Sequence, residues 1–188
     1  VSEPASRCNA ALIRDALSRL ADELEHRGVV AEIYVVGGRA LALAYEARRI
    51  TRDVDAVFQP ARVVREAAAT VAGELGLPED WLDDGAEAFL PGRDPDARLI
   101  LRRPSLTVAV ASPSHLLAMK LLASRVDQDV EDIKLLYELC GFTTAADGVA
   151  LLEEVYPGRP LPARTRFLLE ELFGPLLPPR SHEPPRPR

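Results

Sequence analysis

Two acidic residues, Asp53 and Asp55, flank Val54 at the head of a segment, 53–58, in which acid and apolar residues alternate. Such alternation predicts a half-buried strand. Residues i and i+2 of a strand point to the same face, about 7 Å apart along the chain. Both carboxylates then meet on one wet surface, while Val54 and Val57 turn to the core. Magnesium takes hard oxygen ligands and keeps room for water and substrate phosphates. Two-metal phosphoryl transfer holds its ions about 4 Å apart across shared carboxylates. Asp53 and Asp55 are therefore the candidate ligands of a two-ion magnesium site, and both are candidate catalytic residues.

A second feature precedes them. Gly37 and Gly38 close an apolar, β-branched run at 30–36 and lead into an alanine- and leucine-rich stretch. Paired glycines at a helix N-terminus let the backbone approach a phosphate, and the free N–H groups and helix dipole favour an anion there. Arg39, Arg49 and Arg52 lie close enough in sequence to add charge-assisted contacts to a nucleotide. Alone, a Gly-Gly is most often a turn and a D-x-D a solvated strand edge. The conjunction of strand, Gly-Gly, helix, short turn and D-V-D strand is what points to a triphosphate beside a metal.

Later in the chain, Lys120 interrupts the apolar run 116–123. Only Lys120 and Lys134 are lysine; every other basic side chain is arginine, apart from three histidines. A lysine on an apolar helix commonly carries its ammonium to the surface; its other reading is a point charge for nucleotide phosphates. Arg125 follows, then Asp129 and Asp132, which share a helical face. Asp129 reads equally as a first-turn acid and as a carboxylate that orients Lys120 or Arg125. Asp132 is a catalytic candidate beside Lys120. Asp83, Asp84, Asp94 and Asp96 fall in a loop-rich stretch; any of them is a possible third metal ligand, and no spacing selects one. His26, His115 and His182 are scattered and form no Ser-His-Asp arrangement.

The elements that position these residues follow from periodicity. Leu12, Ile13, Ala16, Leu17, Leu20 and Leu24 recur at helical spacing up to Gly28. A strand at 30–36, a helix at 39–46, the strand at 53–58 and a helix at 62–75 come next. Residues 76–96 are read as loop, with Trp81 packed over the core. A hairpin joins 99–101 to 106–111. Ser112 or Ser114 caps a helix that runs to about 125, and helices at 128–139, 144–155 and 162–173 follow. A mixed α/β (α+β) half precedes an all-helical half. The expected division is a 1–112 core with a small mixed sheet flanked by helices, a 113–174 helical bundle, and a disordered proline- and arginine-rich tail at 175–188.

Composition narrows the class. At 188 residues, 47% apolar and 28% charged, the chain can bury a core without staples. Cys8 and Cys140 have no C-x-x-C spacing, so a zinc or disulfide framework is set aside in favour of two buried free thiols. Residues 2–11 are polar and unlike a signal peptide, and no apolar run reaches the length of a membrane span. A cytoplasmic protein without a membrane partner is the expectation. A net charge of −6 argues against broad nonspecific nucleic-acid binding, although local arginine clusters such as Arg159, Arg164 and Arg166 offer a patch.

The run Val35-Val36-Gly37-Gly38-Arg39-Ala40-Leu41, with Arg49-x-Thr51-x-Asp53-x-Asp55, resembles the first motif of AbiEii-like nucleotidyltransferases of the polymerase β superfamily. Leu117-Ala118-Met119-Lys120-Leu121-x-Ala123, with Arg125 and Asp129-x-x-Asp132, resembles their later motifs. The order of these motifs around Trp81-Leu82-Asp83-Asp84 is most similar to the MenT toxins of toxin–antitoxin pairs. The resemblance covers roughly residues 30–140. It implies a polymerase β-like core and transfer of a nucleotide, CTP favoured, to the 3′ acceptor end of tRNA with Mg2+. It also implies inhibition of aminoacylation and translation, and a cognate antitoxin as partner. In that frame Gly37 and Gly38 cradle the triphosphate, Asp53 and Asp55 hold magnesium, and Lys120 binds phosphate with Asp129 or Asp132 in support. Thr51 is the candidate regulatory hydroxyl, since a phosphate there would repel the incoming triphosphate. Arg39 departs from the Ser or Thr common after the paired glycines, and no third carboxylate identifies itself. Transfer to a small molecule or a protein hydroxyl, or a non-catalytic scaffold, are the competing expectations.

Overall fold

A computed structural model describes residues 10–44, 54–85, 90–123 and 126–176, with the side chains of Arg39, Ala42 and 126–128 also left outside the description. Asp53, Arg49, Arg52, Thr51 and Arg125 therefore lie outside the described residues, as do Cys8 and the 177–188 part of the expected tail.

Five strands form one mixed sheet in the order β3-β2-β1-β5-β4. Strand β1 (Ala31–Val35) is central. It pairs antiparallel with β2 (Val54–Gln59) and parallel with β5 (Leu106–Val110). Strand β4 (Arg98–Arg102) forms the hairpin with β5, with an irregularity between Leu99 and Leu101. The two-residue period sorts side chains cleanly. Ala31, Ile33, Val35, Val54, Ala56, Phe58, Leu106, Val108 and Val110 are all buried. Glu32, Tyr34, Asp55, Val57, Gln59, Thr107 and Ala109 are half-buried or exposed. Val57 thus shares the face of Asp55 and not that of Val54, correcting the expectation that both valines turn inward: residues three apart on a strand have opposite parity.

The buried face is covered by α1 (Ala10–His26) and α3 (Ala61–Leu75). Helix α1 presents Ile13, Ala16, Leu17, Leu20 and Leu24, a stripe at i, i+3, i+4, i+7 spacing. Helix α3 presents Val64, Ala67, Ala68, Val71 and Ala72, small residues that bring the helix close to the sheet. It stops at Gly76, whose φ of 64° is the left-handed cap.

The stretch read as loop after α3 contains a strand. Leu82–Asp83 (β3) pairs parallel with Val54 and Asp55 at the free edge of β2. Trp81 holds it there: its side chain is 1% exposed, its Nε1 donates to the Ala68 carbonyl of α3 at 3.0 Å, and its own carbonyl accepts from the Val54 amide at 2.8 Å.

The second half is helical. Helix α4 (Pro113–Ala123) is buried on most sides through His115, Leu116, Leu117, Ala118, Met119 and Leu121, as expected of a helix central to a bundle. Helices α5 (Val126–Cys140), α6 (Ala145–Val155) and α7 (Ala163–Phe173) pack around it and one another. Thr144 and Asp147 form a capping box at the head of α6. Thr165 Oγ1 donates to the Leu121 carbonyl at 2.8 Å and ties α7 to α4. The Tyr137 and Phe173 rings stack at 3.7 Å, joining α5 to α7. Cys140 is a free, half-buried thiol whose pKa burial raises to about 11. Among the described residues no single helix is long and apolar enough to cross a membrane.

Trp81→Phe keeps an aromatic ring at this position but removes its donor and part of its volume. The expected loss is about 1–3 kcal/mol, read from urea unfolding followed by circular dichroism; a loss below about 0.5 kcal/mol would show that Trp81 does not secure β3.

Candidate active site

The end of β1 runs directly into α2 (Gly37–Ala44), so Gly37 and Gly38 form the first turn of a helix whose backbone donors face outward at its N-terminus. Gly37 has φ +71°, a left-handed conformation in which a side chain is strained. Its bare Cα also faces Asp55: a Cβ built on Gly37 would collide with Asp55 Oδ2. Only glycine lets the carboxylate sit this close to the turn. The Val36 amide donates to the Asp55 carbonyl at 2.9 Å, which fixes the strand end against the turn. The C-terminus of α2 is held as well. Arg14 of α1 donates to the Leu43 carbonyl at 2.6 Å, and Arg98 of β4 donates to the Ala44 carbonyl. Guanidinium groups on the last carbonyls complement the helix dipole.

On the other side of Asp55 stands Asp83. The two residues are register partners on adjacent parallel strands. Their neighbours Val54 and Leu82 are both buried, so both carboxylates belong to the open face. Adjacent strands are about 4.8 Å apart, a spacing at which two carboxylates can share hard cations. The sequence alone leaves four aspartates open for this position. The structure separates them: Asp84 forms an ion pair with Arg65, Asp94 is enclosed by a network of its own, and Asp96 lies next to Asp94, ahead of β4 at the sheet edge opposite β3. The available signal is the tryptophan, whose burial pins the next two residues into the sheet. Among the described residues no three His, Cys, Asp or Glu side chains come together as a metal cluster. Asp53, the expected partner of Asp55, lies outside them.

Lys120, Asp129 and Asp132 form a second group. Lys120 Nζ lies 2.6 Å from Asp129 Oδ1 and 2.8 Å from Asp132 Oδ2. The side chains are 14%, 16% and 3% exposed respectively, so the group is largely desolvated. It clamps α4 to α5 with one positive and two negative charges. A phosphate that reached Lys120 would have to compete with Asp129, the more exposed of the two acids. Separations of nine and twelve residues bring the triad together from α4 and α5.

Asp94 is 3% exposed at its side chain. Its Oδ2 accepts from Tyr34 Oη at 2.7 Å and from the Ser112 amide at 2.8 Å, and its Oδ1 lies 3.4 Å from His115 Nδ1. Burial pushes its pKa up, but the Ser112 and Tyr34 hydrogen bonds and the His115 charge outweigh that and lower it on balance. Ser112 Oγ caps α4 by accepting from the His115 amide at 3.3 Å. Because Asp94 and Ser112 Oγ face the same nitrogen of His115, the three do not form a relay of the Ser-His-Asp kind.

Lys120→Met would leave Asp129 and Asp132 buried together without their cation. Removing one member of a buried ion group costs about 3–5 kcal/mol, so urea unfolding followed by Trp81 fluorescence is expected to show a loss of that size, partly restored by adding Asp132→Asn. A variant within about 1 kcal/mol of wild type would mean that the triad does not clamp the two helices.

Residues 15–140, two thirds of the chain, match a family described as "nucleotidyltransferase of unknown function (DUF6036)". No curated protein and no solved structure matches. With the glycine turn, the strand carboxylates and the mixed sheet all inside the matched region, the chain belongs to this nucleotidyltransferase family.

Proposed function

We propose that the protein transfers a nucleoside monophosphate from a magnesium-bound nucleoside triphosphate to an acceptor hydroxyl. The observation that carries this reading is the register pairing of Asp55 with Asp83 beside the close approach of Asp55 to Gly37. The donor set fits magnesium: carboxylate oxygens on one open face, next to a helix N-terminus suited to phosphate. Asp55 and Asp83, with Asp53, would hold the metal. Bound there, magnesium would supply charge stabilisation for the developing pyrophosphate and lower the pKa of the attacking hydroxyl.

The remaining roles fall to the chain itself. The N–H groups at Gly37 and Gly38 orient the triphosphate, and Arg39, Arg49, Arg52 and Arg125 are its proposed arginine contacts. The acceptor oxygen forms a bond to the α-phosphorus, the bond to the bridging oxygen breaks, and pyrophosphate leaves. Asp83 takes the hydroxyl proton, the role for which the sequence offers no residue. Lys120, oriented by Asp129 and Asp132, is proposed to meet phosphate at the edge of the site.

For the acceptor, the motif resemblance favours the 3′ end of tRNA, with CTP or UTP as donor, and hence a toxin that blocks aminoacylation under control of an antitoxin. Thr51 would be its regulatory position. A small-molecule hydroxyl is the second reading. It is favoured by a net charge of −6, which disfavours binding of an extended polyanion.

The test is transfer of label from each α-³²P nucleoside triphosphate, with Mg2+, to total tRNA and to a cell extract freed of RNA. Wild type is expected to label tRNA. Asp55→Asn and Asp83→Asn are each expected to lower the rate by about a hundredfold or more, the equivalent of several kcal/mol of lost charge stabilisation. Asp84→Asn, at a surface ion pair, should stay within about threefold. Label in the RNA-free extract alone would replace tRNA with a small acceptor. No label with any acceptor, or full activity in Asp83→Asn, would contradict the assignment.

A further inference from the structure

Tyr34 and Asp94 together have a geometry that the chemistry above does not use. Tyr34 lies on the open face of β1, three residues before Gly37, and is the register partner of Val57, the next residue after Asp55 on that face. It therefore stands one side-chain step from the proposed metal ligands. A groove of about 320 Å³ runs across this part of the sheet, lined by Glu32, Tyr34, Val57, Gln59, Thr107 and Ala109. The volume is that of a small-molecule site. Among the described residues that line it there is no cation, so they offer no charge partner to a phosphate. It offers an aromatic ring, short aliphatic side chains and a rim of hydrogen-bonding groups, which suit an uncharged planar ring with a sugar.

The ring is held from outside the groove. Strands β3 and β4 are consecutive in sequence but occupy opposite edges of the sheet, so the connection between them must travel about four strand spacings, some 19 Å. Where it arrives, Asp94 accepts from Tyr34 Oη and from the Ser112 amide with the same oxygen. The Asp96 amide and His115 Nδ1 face its other oxygen. A carboxylate so buried and so fully engaged has one orientation, and it imposes that orientation on the tyrosine.

We infer that Tyr34 is the nucleoside-facing wall of the groove and that Asp94 is the positioning residue that fixes its ring. The inference rests on the nucleotidyl-transfer reading and adds to it a place for the nucleoside, whether that of the donor triphosphate or the terminal nucleoside of an RNA acceptor.

The experiment is equilibrium binding by calorimetry with the full chain and Mg2+. The probes are the four nucleoside triphosphates, inorganic tripolyphosphate, and a short RNA ending in CCA. A base stacks on an aromatic ring whatever its identity, so Tyr34→Ala is expected to weaken binding of a nucleoside-bearing probe about tenfold. Tyr34→Phe, which keeps the ring but releases it from Asp94, is expected to weaken it about threefold, as is Asp94→Asn if that variant folds. Tripolyphosphate should bind all variants as it binds wild type, a result that a general loss of structure would not give. Weakening confined to the triphosphates would assign the groove to the donor, and weakening confined to the RNA would assign it to the acceptor. Equal binding of nucleoside triphosphates and tripolyphosphate by wild type, or unchanged binding in Tyr34→Ala and Tyr34→Phe, would overturn the inference while leaving the transfer reading intact. No binding of any probe by wild type would remove both.

Discussion

The contact between the Asp55 carboxyl and the bare Cα of Gly37 sets the distance between a strand and a helix. Any side chain at Gly37 would occupy the space of the carboxylate, and its φ of +71° disfavours one in any case. With the contact in place, an anion-favouring helix N-terminus and a cation-favouring carboxylate lie side by side. The rest of the core maintains that spacing. Ala56 and Phe58 anchor β2 from below, Val35 anchors β1, and Arg14 and Arg98 hold the far end of α2 by its carbonyls. Each of these groups is ordinary by itself; their effect is to leave the strand and the helix little freedom to move apart.

A second constraint comes from the edge of the sheet. Two residues make a marginal strand, and β3 has no length on which to stand alone. Its place comes from Trp81, whose indole is buried against α3 and bonded to the Ala68 carbonyl. The tryptophan thus converts hydrophobic burial into the position of Asp83, turning a pair of open-face aspartates from a property of one strand into a property of two. The opposite edge is reached by a chain that crosses back and is fastened by Asp94, so loop, central strand and the start of α4 share one buried carboxylate.

These features differ in how far a sequence displays them. The amphipathic helices are legible because their signal is local and repeats every few residues, and Gly28, Gly76 and Gly141 mark three of their ends. Strand β2 and the glycine turn are legible for the same reason. The face assignment within β2 fails at Val57, where a three-residue step does not preserve parity. Strand β3 is invisible because a two-residue element has no period; its identity lies in its pairing with Val54 and Asp55. The positions of Asp83 and Asp94 are equally hidden, since four aspartates of one loop-rich stretch look alike until the sheet order separates them. Lys120 and its two acids stand out by type, but that all three form one desolvated cluster depends on the angle between α4 and α5. Asp53, Arg49, Arg52, Thr51 and Arg125 remain expectations from the sequence.

Asp55, Asp83 and the Gly37–Gly38 turn are proposed to form one metal–triphosphate site. Crystals of the protein soaked with Mn2+ and a non-hydrolysable nucleoside triphosphate analogue test it directly, because manganese is located by its anomalous scattering whether or not the acceptor is known. Manganese is expected bonded to oxygens of both Asp55 and Asp83, with the triphosphate against the first turn of α2. Manganese bound elsewhere, or a triphosphate held away from Gly37 and Gly38, would contradict it.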